Sequence, residues 1–172
     1  MNIDDLLKDK TLKAKEKKNL FGQMLLSGEL SADEVIAYAQ TAKDTAKASC
    51  MEAIAYATKK KPELITPKAF AYVLECLADI APRVKWEGAN VVSNTVHLFP
   101  DDIARALEGL LKNAVHNGTV VRWSAAHALS GILLLKTSHN ATLLPAVESL
   151  CEQEEDNAIK KIYQAAIKKA KK

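Results

Sequence analysis

Five short segments of this 172-residue chain align with one another at a nearly constant interval. "VRWSAAHAL" at 121–129 matches "VKWEGANVV" at 84–92, "AKASCMEAI" at 46–54, "IKKIYQAAI" at 159–167 and, more loosely, "LKAKEKKNL" at 12–20. Their first residues lie 34, 38, 37 and 38 positions apart in turn. An interval too long for one helix or strand marks stacked supersecondary units, none of which buries its own apolar face alone. Such a chain folds as an open array whose core is made between neighbours.

The columns of this alignment fit a helix. The first position holds Leu12, Ala46, Val84, Val121 and Ile159, and the position eight later holds Leu20, Ile54, Val92, Leu129 and Ile167. At 100° per residue these lie about 80° apart, on one apolar stripe. Four residues after the first, Cys50, Gly88 and Ala125 are small, so neighbouring helices can approach closely. Glu16 and Tyr163 break that column in the outer units, as terminal repeats often do.

A second helical segment precedes each of these. "SADEVIAYAQTA" at 31–42 opens with Ser31 and Glu34 in capping-box spacing, and "TPKAFAYVLECLADI" at 66–80 opens with Thr66 as N-cap and Pro67 in the first turn. "PDDIARALEGLLKNAVH" at 100–116 and "ATLLPAVESLCEQEE" at 141–155 supply two more, with Pro145 near a helix start. Short breaks such as "HNGT" and "EEDN" separate the members of a pair, so the unit is helix, turn, helix. Aromatics at 5% and only six Gly and five Pro favour helices packed through Ala, Leu, Ile and Val. The expectation is an all-α chain forming one domain over 1–172, with units at about 1–28, 31–62, 66–98, 100–136 and 140–172.

The string V-R-x-x-A-x-x-A-L, carried by Val121, Arg122, Ala125, Ala128 and Leu129, resembles the second helix of a HEAT repeat, and the other four segments resemble it with decreasing fidelity. The resemblance covers essentially the whole chain. It implies a right-handed α-α superhelix of the HEAT and armadillo kind with about four to five helical hairpins, although an interval of 37 to 38 sits slightly below the family's roughly 40 residues. The Trp, Gly and Tyr pattern of tetratricopeptide arrays and the T-P-L-H string of ankyrin arrays are absent. In the HEAT family a basic residue after the first core position resembles a rung in a ladder of bonds to a neighbouring turn. Here that column is Lys13, Lys47, Lys85, Arg122 and Lys160, with candidate acceptors at Asp79, Asn117 and Glu154 or Glu155. A stacking ladder is one reading of it, and a basic stripe facing an acidic ligand is the other.

Trp86 and Trp123 share one column, which Ala14, Ala48 and Lys161 fill in the other units. That position lies about 200° from the core column and so points away from the packed interior. By the family resemblance it faces the inner side of the superhelix. One turn later come Asn90 and His127, beside Ser93 and Ser130. Two exposed indoles with polar neighbours suit recognition of a protein or peptide; packing of the rings on each other or on flanking loops is the alternative. The expected partner-binding residues are Trp86, Trp123, Asn90 and His127, with Lys85 and Arg122 as a basic border or as ladder rungs.

Catalytic chemistry is not indicated. His97, His116, His127 and His139 lack the spacing that seats a metal on one helix face, and Cys50, Cys76 and Cys151 read as buried free thiols. Asp101 and Asp102 fit the start of a helix better than a carboxylate pair. Gly-rich phosphate loops and nucleophile motifs are absent, so no catalytic residue, metal or cofactor is expected. One enzyme class stays in view: alkylpurine DNA glycosylases, built from HEAT-like repeats, use a Trp-x-x-x-Asp step that Trp86 and Asn90 resemble. Position 90 is an amide here, however, and Glu87 is expected on a different side of the helix.

Charge bears on the same question. Residues 1–18 hold six Lys against four acids and residues 159–172 six Lys against none, leaving twelve basic and seventeen acidic residues in the body. An acidic body argues against a long positive groove for nucleic acid. "IKKIYQAAIKKAKK" reads as an amphipathic last helix whose apolar side covers the core. With no run of eighteen apolar residues and no secretory signal, the expectation is a cytoplasmic protein without membrane insertion. The function expected is non-catalytic: a scaffold or adaptor that binds protein or peptide on the concave face. Nucleic-acid binding is the runner-up.

Overall fold

The computed structural model describes residues 1–172 and contains ten α-helices and no strand. They are α1 (Ile3–Lys8), α2 (Ala14–Ser27), α3 (Ala32–Thr41), α4 (Asp44–Lys60), α5 (Pro67–Cys76), α6 (Pro82–Thr95), α7 (Ile103–Asn113), α8 (Thr119–Leu134), α9 (Asn140–Gln153) and α10 (Asn157–Ala170). Helices start where caps meet apolar periodicity. Ser31 Oγ accepts the Glu34 N–H at 3.2 Å while the Glu34 carboxylate accepts the Ser31 N–H at 2.7 Å, and Thr66 Oγ1 accepts the Ala69 N–H at 3.0 Å. These bonds satisfy N–H groups that have no partner within their helix. Asp101 and Asp102 lie in a short 3-10 turn ahead of α7, and Pro145 sits inside α9, in its second turn.

Each odd-numbered helix packs on the even-numbered helix that follows it, giving five antiparallel hairpins. Consecutive second helices, from α2 through α4, α6 and α8 to α10, pack extensively on one another, whereas consecutive first helices touch sparingly. A stack whose second helices lie closer together bends toward them, so their outward stripe lines the inner, concave face. One continuous apolar cluster runs from Ile3 to Ala166, as expected of an array whose core is shared between neighbours. In the last four hairpins most of the expected core columns are buried, at Val84, Val121, Ile159, Ile54, Val92 and Leu129, while Ala46 and Ile167 are only partly covered. In the small column, a methyl group added to Gly88 would meet the Cys76 side chain at 3.3 Å, so α5 backs closely onto α6.

The first hairpin departs from the expected register. Leu20 is 38% exposed and its neighbour Phe21 only 1%, while Leu12 and Lys13 precede α2. The alignment of 12–20 is therefore one residue out of phase. On a helix one residue is 100°, and in so lysine-rich a segment two leucines alone set the match. Glu16, which that register placed in the small column, instead accepts the Lys13 N–H at 2.7 Å at the start of α2.

Two members of the basic column, Lys47 and Arg122, form ladder rungs with the same stride. Lys47 reaches Asp79 at 3.1 Å, and Arg122 reaches Glu154 through two bonds of 3.1 and 3.3 Å, each pair 32 residues apart. Each rung joins a second helix to the turn of the next hairpin, one unit further on than the acceptors Asp79 and Glu154 were expected to serve. Arg122 also donates to the carbonyls of His116 and Asn117 at 3.1 Å. The same stride from Lys85 lands on Asn117, which carries no charge; the Lys85 ammonium stands 3.5 Å from the Leu77 carbonyl instead.

Candidate functional site

The sequence-predicted residues Trp86, Asn90, Trp123 and His127 occupy matching positions on α6 and α8, on the second-helix face, but their surroundings differ. Trp86 is half-buried, and its indole N–H donates to Glu87 Oε1 at 3.2 Å. The Asn90 amide approaches the other oxygen of the same carboxylate at 3.4 Å. Glu87 therefore sits between the two residues that the Trp-x-x-x-Asn step singled out, rather than on another side of the helix. The 87-to-90 spacing of three, which places side chains on adjoining turns, was the available signal.

Glu87 is only 9% exposed. Burial raises its pKa, and the Glu52 carboxylate raises it further, against the opposing pull of Asn90, Trp86 and Arg83. Glu52, on α4, accepts from Arg83 of α6 at 2.7 Å and faces Lys18 of α2 at 3.6 Å, so one carboxylate ties three repeats together. Further along the face, Tyr56 covers Gly22, accepts from Gln23 at 3.2 Å and accepts from Lys60 at 2.8 Å. Asn94 donates to the Ala55 carbonyl at 3.0 Å and to Thr58 Oγ1 at 3.2 Å. From α2 to α6 the polar groups of this face are thus committed to each other.

From α8 to α10 the face is open. Trp123 is 43% exposed, its ring edge-on to His127 with centroids 4.3 Å apart. Burial lowers the His127 pKa, so the imidazole is neutral at pH 7. Gly131 falls where the repeat puts Tyr56 in α4 and Asn94 in α6, and a methyl group there would touch nothing within 4 Å. Leu134 follows at 38% exposed. Between α8 and α10 runs a shallow groove of about 370 Å³, lined by His127, Ser130, Leu134, Lys161, Ile162 and Lys169 among others. Its inner wall is mostly apolar. Arg122 is not part of this open surface, because its guanidinium is spent on the ladder; Lys85 is half-buried at the ladder edge of α6.

The buried thiols also belong to the core. Burial pushes the Cys50 and Cys76 pKa values up to about 12, and Cys151 shifts upward for the same reason. No helix is long and apolar enough to cross a membrane.

No family model matches the sequence, and no curated protein matches it. Solved structures do. A designed armadillo repeat protein superposes with a TM-score of 0.72 at 17% identity, over 98% of this chain and 80% of that one. Another designed armadillo repeat protein, in complex with the peptide (KR)4, gives 0.71 at 17% identity over 98% and 80%. The complex of CpcE and CpcF of phycocyanin lyase from Nostoc sp. gives 0.68 at 19% identity, over 95% of this chain and 96% of that chain. At such identities the likeness concerns the fold: this chain is an α-α superhelix of the HEAT and armadillo type.

Proposed function

We propose that this protein is a non-catalytic scaffold that binds a protein or peptide segment on the concave face formed by its second helices. The observation that carries the reading is Trp123. An indole 43% exposed on α8, flanked by the His127 ring and by open space at Gly131, stands in solvent while Val121, Ala125 and Leu129 of the same helix are buried. A large rigid side chain held in solvent on a concave face offers contact area to a partner at low entropic cost. Among structures with this fold, a designed armadillo repeat protein holds a bound peptide, which supports the reading by analogy.

Trp123, His127 and Leu134 are the contact residues in this reading, with Trp86 and Asn90 as a flanking, partly committed patch. Lys85 borders that patch, and Arg122 acts through repeat stacking. A glycosylase-like reading finds less support. Position 90 is Asn, and the carboxylate beside Trp86 is buried against two donors of its own helix.

The test is binding by wild type and by Trp123→Ala, scored beside thermal denaturation. Loss of binding with a melting temperature close to wild type is expected. Unchanged binding would remove the concave-face reading, as would a collapse of the fold that showed the ring to be structural.

A further inference from the structure

Resting on that reading, we propose that the groove between α8 and α10 takes an acidic peptide segment bearing a bulky apolar residue. The argument begins with charge. Neither α8 nor α10 contains an acidic residue, whereas α10 carries Lys160, Lys161, Lys168 and Lys169. Lys161, Lys168 and Lys169 are exposed and in no ion pair, in contrast to Lys18, Lys47, Arg83 and Arg122, each of which meets a carboxylate of this chain. Lys161 and Lys169 line the groove itself, two turns apart on one stripe of α10.

The floor fits the second half of the proposal. Leu134 and Ile162 offer apolar surface, and the small side chains of Ala165 and Ala166 leave room beside them for a bulky group. Ser130, also lining the groove and 7% exposed, has a buried hydroxyl with no hydrogen-bond partner. An unsatisfied buried hydroxyl is costly unless it finds an acceptor. A peptide carbonyl or carboxylate entering the groove provides one, once the floor relaxes around it.

Charge also decides against a nucleic acid as occupant. A phosphate backbone following the concave face would run from the lysines of α10 into Glu52 and Glu87, whose neighbouring cations are already engaged. A short acidic segment is served by α8 and α10 alone. The sign is opposite to that of the (KR)4 peptide held by the designed armadillo repeat protein, so one fold would serve two ligand classes through its surface charges.

The experiment is selection of random twelve-residue displayed peptides on the full chain, followed by fluorescence binding of the recovered peptides. Trp86→Phe serves as background, so that emission reports Trp123 alone. Recovered peptides should be rich in Glu and Asp with at least one Leu, Ile, Phe or Trp, and should alter Trp123 emission. Lys161→Glu with Lys169→Glu, both exposed positions, should weaken them about tenfold or more with no change in melting temperature. Recovered peptides that are neutral or basic, or acidic peptides indifferent to the charge reversal, would overturn the groove assignment while leaving concave-face recognition in place. Recovery of no peptide, or of peptides indifferent to Trp123→Ala, would remove the underlying reading as well. A single-stranded oligonucleotide that displaces the peptides with a steep salt dependence would give the groove to nucleic acid and overturn the proposal.

Discussion

The two halves of the concave face are built on the same repeat and reach opposite electrostatic states. From α2 to α6, Glu52 holds Lys18 and Arg83, Glu87 takes Trp86 and Asn90, and Tyr56 covers Gly22. From α8 to α10, Trp123 and Leu134 stand partly in solvent, three lysines have no ion-pair partner in the chain, and Gly131 takes the place of a covering side chain. The lesson is that a repeat fixes where side chains point and leaves their partners to be set unit by unit. On this face the polar bonds are concentrated in the first half, and recognition is what we propose for the second.

The sharpest way to break that division is at the ladder, where both halves depend on stacking. Arg122→Ala leaves the Glu154 carboxylate, whose side chain is 5% exposed, without its cation, and should destabilise the fold by about 3 kcal/mol in chemical denaturation. Lys47→Ala, at a rung exposed to 19% and 17% on its two sides, should cost about 1 kcal/mol. Equal effects at the two rungs would mean that burial of the carboxylate is not what matters.

Glycine positions offer the next test, because the two halves should respond with opposite signs. A methyl group on Gly22 would fall 2.0 Å from the Tyr56 ring, so Gly22→Ala must push the ring off its bonds to Gln23 and Lys60, at about 1–3 kcal/mol. Gly131→Ala meets open space in mid-helix and should stabilise by about 0.5–1 kcal/mol. Destabilisation at both sites would show that the surface at Gly131 is packed after all.

How far these contrasts could be read from sequence depends on what each residue needs. The repeat interval, the capping box at Ser31, the N-cap at Thr66 and the core columns at Val84, Val121 and Ile159 were legible because helix periodicity and caps are local. The Trp column was legible only in part: Trp123 is exposed, but Ala48 at the same position of α4 is buried against the neighbouring helix. The partners were not. Ladder acceptors lie 32 residues from their cations in the next unit, and Glu87 finds its role only through burial and through Glu52 on another helix. The register of α2 failed where composition was most uniform: among so many lysines, Leu20 and Phe21 were equally good apolar matches, and only packing against α4 chose Phe21.

The two tryptophans carry the comparison to a smaller scale. Trp86→Ala removes a half-buried ring and one donor to a buried carboxylate, so it should cost about 2 kcal/mol. Trp123→Ala removes a ring largely in solvent and should cost under about 1 kcal/mol. A reversed order in thermal melts would assign recognition to α6 instead.

The smallest expected effect is also the most specific to the committed half. Glu87 has its pKa raised in the folded chain, so the native state holds that proton more tightly than the unfolded state does. Its contribution to stability is then fully present below the ordinary glutamate value and is lost as pH rises through the raised native value. Glu87→Gln keeps an acceptor for the Trp86 indole and removes the charge, so its advantage over wild type should grow from pH 4 to pH 7 in calorimetric melts. Glu34 supplies the opposite sign. The Ser31 N–H and hydroxyl lower its pKa, so Glu34→Gln should lose ground to wild type as pH rises through the carboxylate range and hold a constant deficit above it. If the Glu87 variant instead falls behind with rising pH, Arg83 and the two donors outweigh burial. The carboxylate would then be a stabilising anion held by its neighbours, and the first half would be more tightly bonded than its geometry alone implies.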